Sequence, residues 1–506
     1  MTGTTTRARA TAVRARLADV DALRGFALLG ILIVNIHYLA SAYHGTGVPE
    51  PAFGSPLDTA VRFVIAMLFE AKFFLLFSFL FGYSLTLQLA SAERAGARFT
   101  PRFLRRLTGL FALGVLHAVL LFPGDILATY AVLGLILLAL CRIRPRGAVR
   151  VAIALFTVTA AGYALLALVA HTAGMGPDAD AAAADAEQAT DALRSGAAAV
   201  IGAHLDQLPD VLALLAFFQA PAALAAFLLG LAAGRHRALA APARHRHVAR
   251  RLRLAGFTVG LAGGAVYAHA SLAHPGTAYH VLALGIDVIT APLLAAAYAA
   301  TVLRVLASRR GRAVTGALAP AGRMTLTNYL TQSLVCALLF TGYGAALVGR
   351  VSPLGVTAMA LALFTLQAVA CRWWLRRHPY GPVEWLLRAL THLAWPRWRR
   401  GGMTRGRPQA AGARVPGARA GGPRKTARPA DGRPYSRGDA RTSAEGPTRR
   451  RRAGGGKPCW SSSWPRPWWE PLRWRACGAV RTISDPPPRD RGAGAGTAVS
   501  GCRARV

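Results

Sequence analysis

Apolar stretches separated by short polar ones run through the first three quarters of the chain. Ten of them reach or approach the roughly 20 residues a helix needs to cross a bilayer: 20–43, 61–89, 104–121, 126–141, 149–170, 211–234, 252–271, 281–303, 324–347 and 354–374. The runs are continuous rather than alternating, which favours helices over a transmembrane barrel. The pattern predicts an all-α, polytopic membrane helix bundle of about ten spans, the fourth short and the second long.

The connections between the runs alternate in charge. One set carries Arg7, Arg9, Arg14 and Arg16; Arg94, Arg98, Arg102, Arg105 and Arg106; Arg142, Arg144, Arg146 and Arg150; six arginines from Arg235 to Arg251; Arg304, Arg309, Arg310 and Arg312; and Arg376 and Arg377. The other set nearly lacks arginine, and its longest member sets Asp178, Asp180, Asp185, Glu187, Asp191 and Asp206 against Arg194 alone. By the positive-inside rule the first set faces the cytoplasm, and ten spans with both termini inside satisfy every connection. Residues 1–19 then form a basic cytoplasmic N-terminus and 20–395 the membrane domain. The beginning imitates a secretory signal, with an A-x-A tripeptide at Ala40–Ala42, but its apolar run is too long and is interrupted by Asp21 and Arg24, so an uncleaved anchor is expected.

Composition agrees with this picture: 53% of the 506 residues are hydrophobic and 16% charged, outside the range of ordinary soluble proteins. The net charge of +38 does not point to nucleic acid, because 23 of the 60 basic but only 6 of the 22 acidic residues lie beyond position 400, and the remaining arginines sit between apolar runs. The expected partner is the lipid bilayer, in a bacterial plasma membrane; the richness in Ala, Gly, Arg and Pro fits a GC-rich bacterial genome. Six cysteines without C-x-x-C spacing indicate neither a disulfide framework nor a metal site. Residues 401–506 are a Gly/Pro/Arg/Ala mixture without apolar periodicity, expected to be disordered. They either adhere to anionic headgroups through clusters such as Arg449–Arg452 or are an extension without function.

Ionisable groups within spans are costly and mark candidate sites. Asp21 and Arg24 lie three apart at the cytoplasmic start of the first span, either pairing to anchor the helix end or contributing to a ligand site, and Asn35 follows on the same helix. Glu70 and Lys72 fall in the middle of the second span, two apart and so on different faces, and each needs a partner elsewhere, catalytic or structural. Lys72 is the only lysine before residue 400. His117, near the outer end of the third span, precedes a tight turn to Asp125; the two suggest a general base with its orienting carboxylate, or a hydrogen bond between helices. His44 is a second candidate base. Arg105, Arg106 and Arg323 cluster at predicted cytoplasmic helix ends. Thr325, Asn328 and Gln332 share one face of the ninth span, for a polar ligand or for helix packing. Walker, dinucleotide-binding and H-E-x-x-H motifs are absent.

Several blocks in order resemble the YeiB-like bacterial membrane proteins: Asp21-Ala-Leu-Arg-Gly through Asn35, Glu70-Ala-Lys-Phe-Phe through Gly82, Arg105-Arg106-Leu through His117, Gly124-Asp125 through Tyr130, and Gly322-Arg-Met-Thr-Leu-Thr-Asn-Tyr through Gln332-Ser. Residues of about 235–391, with Phe340-Thr-Gly-Tyr-Gly, Arg372-Trp-Trp and Tyr380-Gly-Pro-Val-Glu-Trp, look like that family's domain of unknown function 418. The first-helix pattern is also similar to that of transmembrane acyltransferases such as heparan-alpha-glucosaminide N-acetyltransferase. The resemblance implies transfer of an acyl group from cytoplasmic acyl-CoA, a co-substrate rather than a bound cofactor, to a sugar or lipid-linked acceptor across the membrane. Asp21, Arg24 and Asn35 match the shared first-helix motif, although Asn35 stands where bacterial O-acyltransferases carry histidine, and His44 is near, but not at the spacing of, the heparan enzyme's histidine. On this reading His117 or His44 is the base, Asp125 its partner, and Arg24, Arg105, Arg106 and Arg323 hold the donor phosphates. A secondary transporter or flippase using Glu70, Lys72 and His117 as a relay is the rival, and a non-catalytic scaffold is a third reading.

Overall fold

In the computed structural model, residues 2–46, 48–174, 178–240 and 245–400 are described, with side chains described from residue 18 on except at residue 240. The tail 401–506 lies outside the described residues. Among the described residues every regular element is helical: α1 (Thr2–Ala40), α2 (Pro56–Leu68), α3 (Lys72–Arg94), α4 (Phe99–Leu120), α5 (Leu127–Ala139), α6 (Pro145–Thr172), α7 (Ala179–Arg194), α8 (Ala197–Leu214), α9 (Ala220–Arg235), α10 (Arg246–Ala273), α11 (Ala278–Leu306), α12 (Gly311–Arg323), α13 (Thr325–Phe340), α14 (Pro353–Arg377) and α15 (Pro382–His392).

Seven stretches are long and apolar enough to cross a membrane: Ala18–Ala40, Pro56–Arg94, Phe99–Leu120, Pro145–Thr172, Ala197–Arg235, Ala278–Leu306 and Pro353–Arg377. They coincide with seven of the ten expected spans. The other three fall short for visible reasons: Leu127–Arg142 is short, α10 carries several arginines in its first turns, and α13 has only 16 residues. Large apolar side chains such as Val158, Leu165, Leu254 and Leu366 face outward from the bundle, as a bilayer solvent allows and water does not. The core is built around α1, whose Leu23, Leu28, Leu32 and Ile36 are fully buried against neighbouring helices.

The connections sort into two ends of the bundle. At the arginine-rich end, Arg235 donates to the carbonyls of Cys141 and Ile143, Arg105 to Thr391 O and Arg323 to Pro379 O. At the opposite end, Arg194 donates to Val348 O, Gly342 N–H to Leu193 O and Gly349 N–H to Ala40 O. Here the long acidic connection is itself helical: Asp178 caps α7 by accepting the Ala181 N–H at 3.0 Å.

Two helix breaks bear on the expected spans. The second span, read as one helix over 61–89, breaks between α2 and α3 at Phe69–Ala71, where Ala71 takes φ 61°. The break leaves carbonyls at the end of α2 without their helical donors. Lys72 Nζ donates to Ala66 O at 3.2 Å and Tyr298 Oη to Leu68 O at 3.0 Å, so a cation and a hydroxyl complete the helix end. Gly264 lets α10 approach there, since a Cβ would meet the Met67 backbone. The ninth span, expected over 324–347, is a helix only to Phe340 and is preceded by a break at Met324, between α12 and α13, where the Glu384 carboxylate on α15 accepts the free Leu326 and Thr327 N–H groups at 2.7 and 3.1 Å. An ammonium at a helix C-terminus and a carboxylate at an N-terminus both oppose the local dipole.

Candidate functional site

The break in the second span creates the richest polar cluster. Glu70, released from helical geometry, lies with Oε1 3.4 Å from His44 Nε2 and accepts a hydrogen bond from Tyr267 Oη on Oε2 at 2.7 Å. His44 comes from the turn after α1 and rests edge-on against Tyr38, centroids 4.3 Å apart. The His37 ring is 6.0 Å from that of His44, and its Nε2 meets Thr357 Oγ1 at 3.1 Å. On the inner side Lys72 Nζ is 2.9 Å from Asp287 Oδ1 and 3.0 Å from Oδ2, beneath the Tyr267 ring at 5.4 Å. Exposure separates the two halves: the His44 and Glu70 side chains are 15% and 11% exposed, whereas Lys72 and Asp287 are at 0% and 4%. Nearby, Glu50 accepts from Ser41 Oγ at 2.9 Å and Arg62 Nη2 at 3.2 Å, and burial raises its carboxyl above the ordinary value against those two partners.

A second pair lies deeper. His117 Nδ1 is 2.9 Å from Asp125 Oδ1, with the two side chains 0% and 1% exposed, and the Tyr329 ring covers the imidazole at 5.0 Å. Asp125 also caps α5 through the Ala128 N–H at 2.8 Å, and Gly114 permits the approach because a Cβ would strike Ala128 N and the Asp125 carboxylate. His117 Nε2 has no hydrogen-bond partner among the described residues. Tyr329 borders a crevice of about 10 Å³ lined also by Asn35, Gln332, Ser333 and Cys336, room for about one water.

The arginine-rich end gathers the remaining candidates. Arg24 bridges Asp21 at 2.8 Å and donates to Ser84 Oγ at 2.5 Å. Arg24, Glu384 and Arg388 lie within electrostatic range of Arg106, whose Nε is buried without a hydrogen-bond partner among the described residues. Arg323 is near Asp21. Asn328 and Gln332 instead serve helix packing: Asn328 Nδ2 donates to Ala321 O at 3.1 Å, and Gln332 Nε2 to Gln367 Oε1 at 2.8 Å. Arg105 is spent on the Thr391 carbonyl at 3.3 Å.

Comparison with known proteins places the sequence in a family. A family model, Protein of unknown function (DUF418), matches residues 233–394. The uncharacterized protein YeiB of Escherichia coli (strain K12) is 29% identical over 392 residues, covering 74% of this chain and 96% of YeiB. The uncharacterized protein YxaH of Bacillus subtilis (strain 168) is 32% identical over 398 residues, 75% of this chain and 95% of YxaH. The chain belongs to the YeiB-like family. No solved structure matches it.

In this YeiB-like chain the sequence-predicted residues divide into three groups. His44, Glu70 and Lys72 come together; His117 and Asp125 pair as expected from their turn; Asp21, Arg24, Arg106 and Arg323 meet at the other end. Two members of the first cluster, Tyr267 and Asp287, were missed by sequence reasoning, as was the role of Glu384 at the second break. Asp287 had a signal, as a lone carboxylate in the middle of the eighth apolar run. Tyr267 had none, because a tyrosine in a span is unremarkable without knowing its neighbour. The arrangement offers a slightly exposed imidazole with a carboxylate behind it, which is the geometry of an oriented base.

Proposed function

We propose that this YeiB-like protein is a membrane acyltransferase that moves an acyl group from acyl-CoA at the arginine-rich, cytoplasmic face of a bacterial plasma membrane to a hydroxyl of a sugar or lipid-linked acceptor at the opposite face. The observation that carries this reading is the chain Tyr267–Glu70–His44, an oriented base 15% exposed just beyond Ala40 at the end of α1, while Arg24 and Arg106 stand toward the other end of the membrane-length stretch Ala18–Ala40. Burial favours His44 over His117 for this task, since an acceptor must touch the base. Glu70 engages Nε2, leaving Nδ1 to act.

In the step, the acceptor hydroxyl gives its proton to His44 Nδ1 as its oxygen attacks the thioester carbonyl carbon. The carbon–sulfur bond breaks, the proton passes to the leaving thiolate, and an ester and free CoA result. Glu70 stabilises the imidazolium in between. From Arg24 to His37 is about 20 Å along α1 at helical rise, and the Asn35–Gln332–Ser333 crevice beside that stretch, with room for about one water, would have to widen to admit the thioester arm. Titration calorimetry of acetyl-CoA into the detergent-purified full chain tests the donor side. Micromolar binding, weakened about tenfold or more by Arg24→Ala through loss of charge-assisted bonds, is expected; no binding to folded wild-type protein refutes the reading.

The interruption at Phe69–Ala71 favours a second reading, a secondary transporter or flippase, because broken helices carrying ionisable groups line transport sites. That reading requires flux driven by a proton gradient in proteoliposomes and abolished by Lys72→Met, in a protein that does not bind acetyl-CoA.

A further inference from the structure

The end of α14 and the segment after α15 fold onto each other around an open cleft of about 560 Å³, lined by Trp373, Arg376, Arg377, His378, Arg399 and Arg400. Neither reading of function uses it. The cleft is constructed rather than incidental. Trp385 on α15 donates from Nε1 to Pro396 O at 2.9 Å, Trp398 stands edge-on to Trp374 and to His378 at 5.8 and 5.3 Å, and Arg400 N–H donates to Arg377 O at 2.9 Å. Guanidinium groups more than 20 residues apart in sequence are thereby brought together. No carboxylate among the described residues comes within ion-pair distance of any of the four arginines. Such a concentration of uncompensated cations calls for an anion.

What kind of anion follows from the helix above the cleft. Arg377 lies over the Trp373 ring at 4.6 Å, and Trp373, Val369 and Leu366 are 52%, 66% and 68% exposed. Their spacing puts them on one face of α14, within the apolar stretch Pro353–Arg377. An exposed apolar strip thus ends in a cationic cleft, with an indole at the junction where interfacial tryptophans sit. We propose that the cleft binds the phosphate headgroup of an anionic phospholipid, whose chains lie along Trp373, Val369 and Leu366. A soluble phosphate shares the headgroup's chemistry but has no use for the strip.

The test uses the full chain in nanodiscs of phosphatidylcholine containing a minor fraction of phosphatidylglycerol, with native mass spectrometry of the retained lipids. Wild-type protein should retain phosphatidylglycerol selectively. Arg399→Gln/Arg400→Gln, at exposed positions beyond the last helix, should lose about fivefold in selectivity for each arginine removed. Arg309→Gln/Arg310→Gln, equally exposed and at the start of α12, should leave it unchanged. Equal loss in both double variants would reduce the effect to diffuse surface charge and overturn the site, as would no selectivity in the wild type. Displacement of the lipid by inorganic phosphate or by acetyl-CoA, with the same dependence on Arg399 and Arg400, would reassign the cleft to a soluble ligand.

Discussion

At the scale of single residues, Lys72 has two duties that explain why a lysine stands in a chain that otherwise uses arginine. Its ammonium completes the end of α2 through Ala66 O and neutralises Asp287. Three donors on a compact head suit that geometry better than a planar guanidinium. Removing one partner of a buried pair strands the other, at about 3–5 kcal/mol, while replacing both with apolar groups of similar size is often neutral. Lys72→Met should therefore lower the thermal midpoint in detergent sharply, and Lys72→Met/Asp287→Leu should recover most of the loss. A double variant no more stable than the single would contradict a pairing role. That Glu70 and Lys72 need separate partners was legible from their two-residue spacing. The partners were not, because Tyr267 and Asp287 reach them from α10 and α11, about 200 residues away in sequence.

At the scale of elements, both interruptions are completed by distant charged side chains, and Glu384 does so for α13. It accepts from two backbone amides and from Thr327 Oγ1 at 2.5 Å. Burial nevertheless pushes its carboxyl above the ordinary 4.5, the hydrogen bonds from Thr327 only partly offsetting it. The folded protein then binds this proton more readily than the unfolded chain. The resulting contribution to stability is full below about pH 4.5 and is lost as pH rises through the folded value. Glu384→Gln keeps an acceptor oxygen for the amides but has no proton to lose. Thermal midpoints of wild type relative to the variant should fall as pH rises from about 4.5 and then level off; a difference flat across that range would show that the carboxyl does not carry this proton. The positions of most helices were legible as apolar runs, since hydropathy is a local property. The break at Phe69–Ala71 was not, because it contains neither proline nor glycine and what stabilises it is tertiary, whereas Met324 was legible as the start of a span but not as a break following another helix.

At the scale of the whole molecule, the alternation of basic and acidic connections anticipated the sorting of loops into two ends, where Arg235 and Arg105 tie one set together and Arg194 and Gly349 the other. The candidate base and the candidate donor arginines lie toward opposite ends of the membrane-length stretch of α1, Ala18–Ala40. That separation makes transfer across a membrane chemically sensible and a reaction confined to one face difficult to build. Charge patterning exposed it because only charge records sidedness in a sequence. Sealed membrane vesicles containing the full chain, given radiolabelled acetyl-CoA on the arginine-rich face, provide the decisive measurement: label leaving CoA for ester-linked material on the opposite face. Wild-type protein and His117→Gln should both transfer label, His117→Gln at a reduced rate at most, and His44→Gln should lose transfer by about a hundredfold or more, as removal of a general base does. Transfer undiminished in His44→Gln, or label that never leaves CoA with wild-type protein, would contradict an acyltransferase built on His44 and Glu70.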